Sequence, residues 1–289
     1  MNNNVTILVN GCDKYEDSWE PCLKLFEKQW QDCPYDFVLN TETKKYKGEI
    51  KKVKTINYGK SGTWSERFKY VLEHIEAPYV LFTIEDYFLL NEVNTAVFEK
   101  AVSVMNNNPN VGMICLSQTN RENIKTGDYE DENFYSRVID KKCMIWCRMC
   151  LYRREYLLKL LRVHETIWEF EEFASYRAKK LNYIILQQNN NSSEVFTFKV
   201  KVEEGYGITM GKWLPKNKEL FDKYGIEVNF DGLGINYELY ENAINPTPKE
   251  QTKQVKKLDL RERLYNIKKW PKKQKKKLIK TIRKIRSLI

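Results

Sequence analysis

Glu85 and Asp86 stand side by side near the end of an apolar run, YVLFTIEDYFLL, at residues 79–90. The run has no helical period and is rich in β-branched and aromatic residues, so it predicts a strand buried on both faces of an α/β sheet. A carboxylate inside such a strand is costly to desolvate, so two of them predict that the strand stops there and opens onto a site. In open α/β sheets, ligands bind outside the carboxyl ends of the strands. A carboxylate pair at that place suits a divalent cation, Mn2+ or Mg2+, and through it a phosphate. On spacing alone, an equal reading is that Glu85 caps a turn and Asp86 joins a surface ion pair.

Three further groups join the acidic pair at the expected carboxyl ends of successive strands: Asp13 with Tyr15, Asn40 with Thr41, and Trp64 with Arg67. Tyr15 can stack on a base while Asp13 accepts hydrogen bonds from base or ribose. Arg67, one turn into its helix, can meet a diphosphate. Each signal is ordinary alone. Together they describe a nucleotide-diphosphate site with an acidic cation-binding pair. A second cluster, Trp168-Glu169-Phe170-Glu171-Glu172, puts carboxylates at a helix start beside two aromatic rings. Crowding and partial burial raise a carboxyl pKa and suit it to general-base work, although an acidic first turn is also an ordinary dipole partner.

The elements that must position these groups alternate between strand and helix. Strands are predicted at 5–10, 36–39, 53–57, 79–84 and 111–116, with Asn40 and Thr41 just past the second. Helices are predicted at 19–30, capped by Asp17 or Ser18, and at 64–75 and 94–105. Residues 119–133 read as a loop over the site, and 134–152 as one or two strands. Helices follow at 154–161 and 168–180, a strand at 183–186, and a last helix at 215–224. Residues 229–248 read as irregular. This is the pattern of a doubly wound, mainly parallel sheet.

Charge divides the chain in two. Residues 249–289 hold 17 Lys and Arg against three acids, a net +14, which leaves the other 248 residues at −4 within the total of +10. Within that tail, Leu278, Ile279, Ile282, Ile285, Leu288 and Ile289 form an apolar stripe flanked by lysine and arginine, with Trp270 at its start. This is a basic amphipathic helix of the kind that lies on an anionic membrane surface; a packing helix and a nucleic-acid arm are the other readings. The acidic body argues against nucleic acid as the main partner. The start MNNN lacks the basic and apolar regions of a secretory leader, and no run of about 18 apolar residues occurs. Seven cysteines in strand and helix contexts predict reduced thiols and a cytosolic compartment. Cys143, Cys147 and Cys150 lack a fourth ligand at zinc-site spacing. No phosphate-binding glycine loop is present, since Gly59-Lys60-Ser61-Gly62 lacks the leading glycine spacing.

The segments CDKYEDSWEPCLKLFEKQW, WSERFKYVLEHIEAPYVLFTIEDYFLL, RREYLLKLL followed by WEFE, and GKWLP occur in that order. The set resembles a group of bacterial glycosyltransferases with the GT-A fold, associated with capsule, lipopolysaccharide and other surface-glycan synthesis, and the resemblance spans residues 5–225. It implies a GT-A-like domain over 1–248, a nucleotide-sugar donor and a glycan or lipid-linked acceptor. By the resemblance, Asp13 and Tyr15 belong to the donor pocket, lined by Trp64 and Arg67; Asn40 is counted with them from its place at a strand end. Glu85-Asp86 takes the place of an Asp-x-Asp metal motif, and Glu171, with Glu169 second, that of the catalytic base. Lys212 and Trp213 close on diphosphate or acceptor. The sequence departs from the pattern in offering Ile84-Glu85-Asp86 for the acidic triplet and Ile167 where a proline is expected. The expected protein is an inverting transferase attached to the inner membrane face by residues 249–289. A nucleotidyltransferase using the same crevice, and a nucleic-acid-binding protein acting through the tail, are the alternatives.

Overall fold

A computed structural model describes residues 4–118, 125–140 and 144–245. The basic tail lies outside these residues. Four strands, β1 (Val5–Asn10), β2 (Asp36–Thr41), β3 (Val53–Asn57) and β4 (Tyr79–Ile84), alternate with helices α1 (Trp19–Gln29) and α2 (Trp64–Glu73). Then come α3 (Thr95–Asn107), β5 (Val111–Cys115), β6 (Thr126–Glu130), β7 (Phe134–Arg137), β8 (Cys150–Arg153), α4 (Arg154–Leu160), α5 (Ile167–Ala178) and β9 (Ile184–Gln188). A short hairpin, β10 (Ile208–Thr209) and β11 (Lys212–Trp213), leads to α6 (Lys216–Lys223). Contacts divide the chain into Met1–Tyr237 and Glu238–Ile289; helix α7 (Tyr237–Ile244) holds the described part of the second unit. Among the described residues, no helix is long and apolar enough to cross a membrane.

The main sheet runs β3-β2-β1-β4-β8-β5-β9-β7-β6. Strands β3, β2, β1 and β4 are parallel neighbours, as are β5 and β9, while β8 and β7 run against the rest. The fold is therefore α/β, with a mixed, mostly parallel sheet flanked by helices, as the strand–helix alternation predicts. Its central strands carry apolar residues on both faces. Ile7, Val9, Leu39 and Leu81 pack towards α1 and α3, while Leu8, Val38, Val80 and Phe82 pack towards α2, α4 and α5. This double burial is why residues 79–84 show no polar alternation in sequence.

The differences from the sequence reading have local causes. β2 continues through Asn40 and Thr41, because β3 and β1 pair with it to its end. Ser18 precedes α1, but its hydroxyl donates to the Tyr15 carbonyl and does not cap the helix. Residues 126–130, inside the predicted loop, form the edge strand β6. Its residues, TGDYE, are mostly exposed and present no apolar face for a periodicity argument to find. Helix α7 lies in a stretch read as irregular.

Two adjacent arginines fix β8 in the sheet. Arg153 donates from Nε to the Val111 carbonyl at 3.1 Å and from Nη2 to those of Met105 and Asn108 at 2.8 and 3.2 Å. Arg154 donates to the carbonyls of Ala77 and Leu72 at 3.1 and 3.2 Å. Each fork thus satisfies carbonyls that the ends of α3 and α2 leave open, where the helix dipoles also favour a cation. Arg153→Ala is expected to lower unfolding stability by about 2–3 kcal/mol. Arg153→Lys should recover only part of this, because an ammonium cannot fork across three carbonyls. Urea unfolding of the three proteins measures both.

Candidate functional site

The four parallel strands end at one edge, and the first three turns beyond them are tied together. Gly11 N–H donates to the Asn40 carbonyl at 2.9 Å. Asn40, fully buried, donates its side-chain amide to Asn10 Oδ1 at 2.7 Å across the β1–β2 pair. The Asp13 carboxylate accepts from the backbone N–H of Glu42, Thr43 and Lys44 and from the Thr43 hydroxyl, at 2.5–3.3 Å. In return Asp13 N–H donates to Glu42 Oε2 at 2.9 Å. Burial works against the Asp13 charge, but the Thr43, Lys44 and Glu42 donors outweigh it and hold the carboxyl below its ordinary value. Asp13 is thus occupied in joining two loops, and Tyr15 follows it half-buried, with the Lys14 ammonium 5.3 Å from its ring centre.

Arg67 reaches the same edge from α2. The helix start is set by a reciprocal cap, with Thr63 Oγ1 accepting from Glu66 N–H and Glu66 accepting from Thr63 N–H. Arg67 is 6% exposed; its Nη1 donates to the Gly11 carbonyl at 3.1 Å, and its Nη2 lies 3.6 Å from Glu42. Trp64, one turn earlier, packs on Phe68 and Phe170 with ring centres 4.8 and 5.5 Å apart. It joins α2 to α5.

Glu85 and Asp86 follow β4 directly. Glu85 is buried. Removal from water pushes its carboxyl up first, the Asp86 charge second, and the Cys12 N–H and the Arg67 charge oppose them. Asp86 is half-buried, and desolvation raises it against a hydrogen bond from Ile208 N–H at 3.3 Å. The two side chains therefore face different elements: Glu85 the turn after β1, Asp86 the loop before the β10–β11 hairpin. That loop approaches through Gly207, whose φ of 94° suits glycine and where a Cβ would lie 3.4 Å from the Asp86 carbonyl. The hairpin tip, Met210-Gly211, has φ of 55° and 80° and turns beside Lys14, with Met210 83% exposed. Lys212 is exposed on β11.

Glu171 and Glu169 separate cleanly. Glu169 is fully exposed and caps α5: it accepts from Thr166 N–H, which holds its carboxyl low. Glu171, two residues on, turns inward and accepts from Cys147 N–H at 2.8 Å. Burial raises its pKa against that bond and the charge of Arg148. Tyr87 sits within the field of both Asp86 and Glu171, so the acidic pair and the candidate base flank one phenol. Sequence reasoning missed Glu42, Tyr87, Gly207 and Arg148. Glu42 directly follows the Asn40-Thr41 signal, and Gly205 and Gly207 mark the loop over Asp86; Arg148 had no local signal.

Among the described residues, no three His, Cys, Asp or Glu side chains converge on a metal position. A buried carboxylate pair with raised pKa values fits the other arrangement, in which Mg2+ or Mn2+ is held by one or two carboxylates and completed by substrate phosphates. Two raised pKa values also fix a sign. The folded state holds protons that the unfolded chain releases, so stability is present at acid pH and falls as pH rises from about 4 through the folded value of Glu85, about 8. Glu85→Gln should remove most of that fall. Mn2+ or Mg2+, binding the deprotonated pair, should raise the melting temperature more at about pH 8 than at about pH 6. Thermal melts across pH, with and without the cation, measure both.

No family model matches the chain, and no curated protein matches it in sequence. Solved structures with a similar course of chain include TarS 1-349 of S. aureus, with a TM-score of 0.46 and 13% identity over 70% of this chain and 61% of that one. The same protein in complex with UDP gives 0.47 and 14% over 70% and 62%. The mannosyltransferase PcManGT of Pyrobaculum calidifontis, in complex with GDP-Man and Mn2+, gives 0.44 and 14% over 65% and 55%. The chain thus spans under two thirds of the length of each.

Proposed function

We propose that the chain transfers a sugar from a nucleoside-diphosphate sugar to a hydroxyl of a glycan or lipid-linked acceptor, with inversion, in the synthesis of a bacterial surface polysaccharide. The observation that carries this reading is the meeting of three things at one sheet edge. These are a desolvated acidic pair after β4, the Arg67-anchored loops after β1 and β2, and an inward-facing carboxylate, Glu171, across Tyr87. The motif resemblance over residues 5–225 supports the same assignment.

In this reading Asp13, Asn40, Trp64 and Arg67 shape the donor pocket, and Tyr15 offers its ring to the base. Glu171 takes the proton from the acceptor hydroxyl as its oxygen attacks the anomeric carbon. The bond from that carbon to the diphosphate breaks, and Lys14 and Lys212, on the loops flanking the crevice, face the charge that develops on the leaving group. A divalent cation bound at Glu85 and Asp86 would neutralise part of the same charge. Glu171 suits the base role through partial burial, which brings its proton affinity towards the working pH. The basic segment 249–289 would hold the enzyme at an anionic inner leaflet, where each Lys or Arg contributes about 1 kcal/mol, near a lipid-linked acceptor.

Three outcomes test this. Glu171→Gln should lower kcat by about 100-fold or more while leaving the melting shift produced by the nucleoside diphosphate unchanged. Near-normal activity in that variant would point to nucleotidyl transfer, which needs no base on the acceptor. A melting panel of UDP-, GDP-, dTDP- and CMP-sugars, with and without Mn2+, should single out the donor. Stabilisation of about 2.7 kcal/mol is expected at 100 times the dissociation constant. A chain ending near Pro248 should lose binding to anionic vesicles that the full chain retains.

A further inference from the structure

Arg148 lies within the field of the candidate base and shares a ring with Arg137, and the assignment above uses neither arginine. Arg137, at the end of β7, is 6% exposed, and Arg148 precedes β8. Their guanidinium carbons stand 4.1 and 3.8 Å from the centre of one ring, Trp146. Arg137 donates from Nη1 to Gln187 Oε1 at 3.4 Å, and Arg148 bonds to the Cys115 thiol. Among the described residues the Nε of each is buried without a hydrogen-bond partner, as is that of Arg67. Elsewhere the buried arginines of this fold are matched: Arg67 meets Glu42, and Arg177 meets Glu165 at 2.6 Å. Among the described residues, neither Arg137 nor Arg148 forms an ion pair with a carboxylate.

Two like charges held close and out of water oppose folding unless an anion joins them. Stacking on Trp146 orients the planar forks but does not neutralise them. Their position says which molecule brings the anion. Arg148 directly follows Cys147, whose N–H holds Glu171, and Glu171 lies within the field of Arg148. The donor's diphosphate has its own place at the Glu85-Asp86 edge, with Tyr87 between the two.

We propose that Arg137, Arg148 and Trp146 form the seat for an anionic group of the acceptor, so that the enzyme acts on an acidic acceptor, a sugar or polyol carrying a phosphate or a carboxylate. This rests on the glycosyl-transfer reading above. The forks grip the acidic group in two-point hydrogen bonds and so set which hydroxyl reaches Glu171. A neutral acceptor would offer neither fork a carboxylate or phosphate, which makes the seat a discriminating device as well as a binding one.

Glycerol 3-phosphate and glucuronate probe the phosphate and carboxylate arms on the full chain; glycerol, glucose and inorganic phosphate are the controls. Melting shifts and calorimetry should show that at least one organic anion binds and that neither neutral compound does. Arg148→Gln should weaken that anion by about ten- to a hundredfold, and Arg148→Lys by less. The proposal is overturned if no anion binds the wild-type chain, or if inorganic phosphate binds as well as the organic anions. It is also overturned if Arg148→Gln and Arg148→Lys both bind the anion as the wild type does. Equal loss of anion and nucleoside diphosphate in Arg148→Gln would assign the seat to the donor and overturn it too. Should Arg148→Gln fail to fold, the wild-type and Arg148→Lys measurements decide. Failure of the glycosyl-transfer reading shows separately, as a wild-type chain that binds no nucleotide.

Discussion

The Glu85 carboxylate, buried at the end of β4, meets the N–H of Cys12 and the field of Arg67, while Asp86 beside it adds a second negative charge. Keeping two carboxylates out of water is expensive, and the surrounding structure is arranged to offset it. Arg67 must be held at that edge, so it is bonded to the Gly11 carbonyl and placed beside Glu42. Glu42 must be held in turn, and the reciprocal bonds with Asp13 do this. The loops after β1 and β2 and the start of α2 thus form one polar assembly around one desolvated charge. Asp13, Arg67 and the acidic pair were separate weak signals in sequence, and Glu42 was none.

The same logic distinguishes the two kinds of arginine in the chain. Arg153 and Arg154 spend their donors on backbone carbonyls at helix ends and at the starts of neighbouring strands, and keep an antiparallel strand in a mostly parallel sheet. Arg67 and Arg177 have carboxylate partners. Among the described residues Arg137 and Arg148 have neither, and Arg148 lies within the field of Glu171. A buried cation without a carboxylate partner among the described residues is a position maintained at a cost in stability. Such costs gather where molecules bind.

The glutamates of the Trp-Glu-Phe-Glu-Glu segment show how little spacing says about role. Glu169 and Glu171 are two residues apart on one helix, about 200° around its axis at 3.6 residues per turn. One therefore faces solvent and closes the capping box, and the other faces the crevice and takes the Cys147 N–H. Which face points inward depends on Phe170, Ala174 and Ala178, the residues with which α5 packs on the sheet.

By itself, the sequence determined the strands and helices of the parallel half, because each is a local pattern: a continuous apolar run for β1 and β4, a 3.6-residue stripe for α1 and α2. It also placed Glu85 and Asp86 beyond a strand, because charge cannot continue a doubly buried run. The tertiary structure alone decided the rest. It put β8 between β4 and β5 and paired Asn10 with Asn40. It engaged Asp13 with the next loop, carried Ile208 to Asp86 across 122 residues, and gathered Arg137 and Arg148 on Trp146. These depend on contacts between residues far apart in the chain, whose energies come from desolvation and pairing in three dimensions. Local spacing carries no record of them.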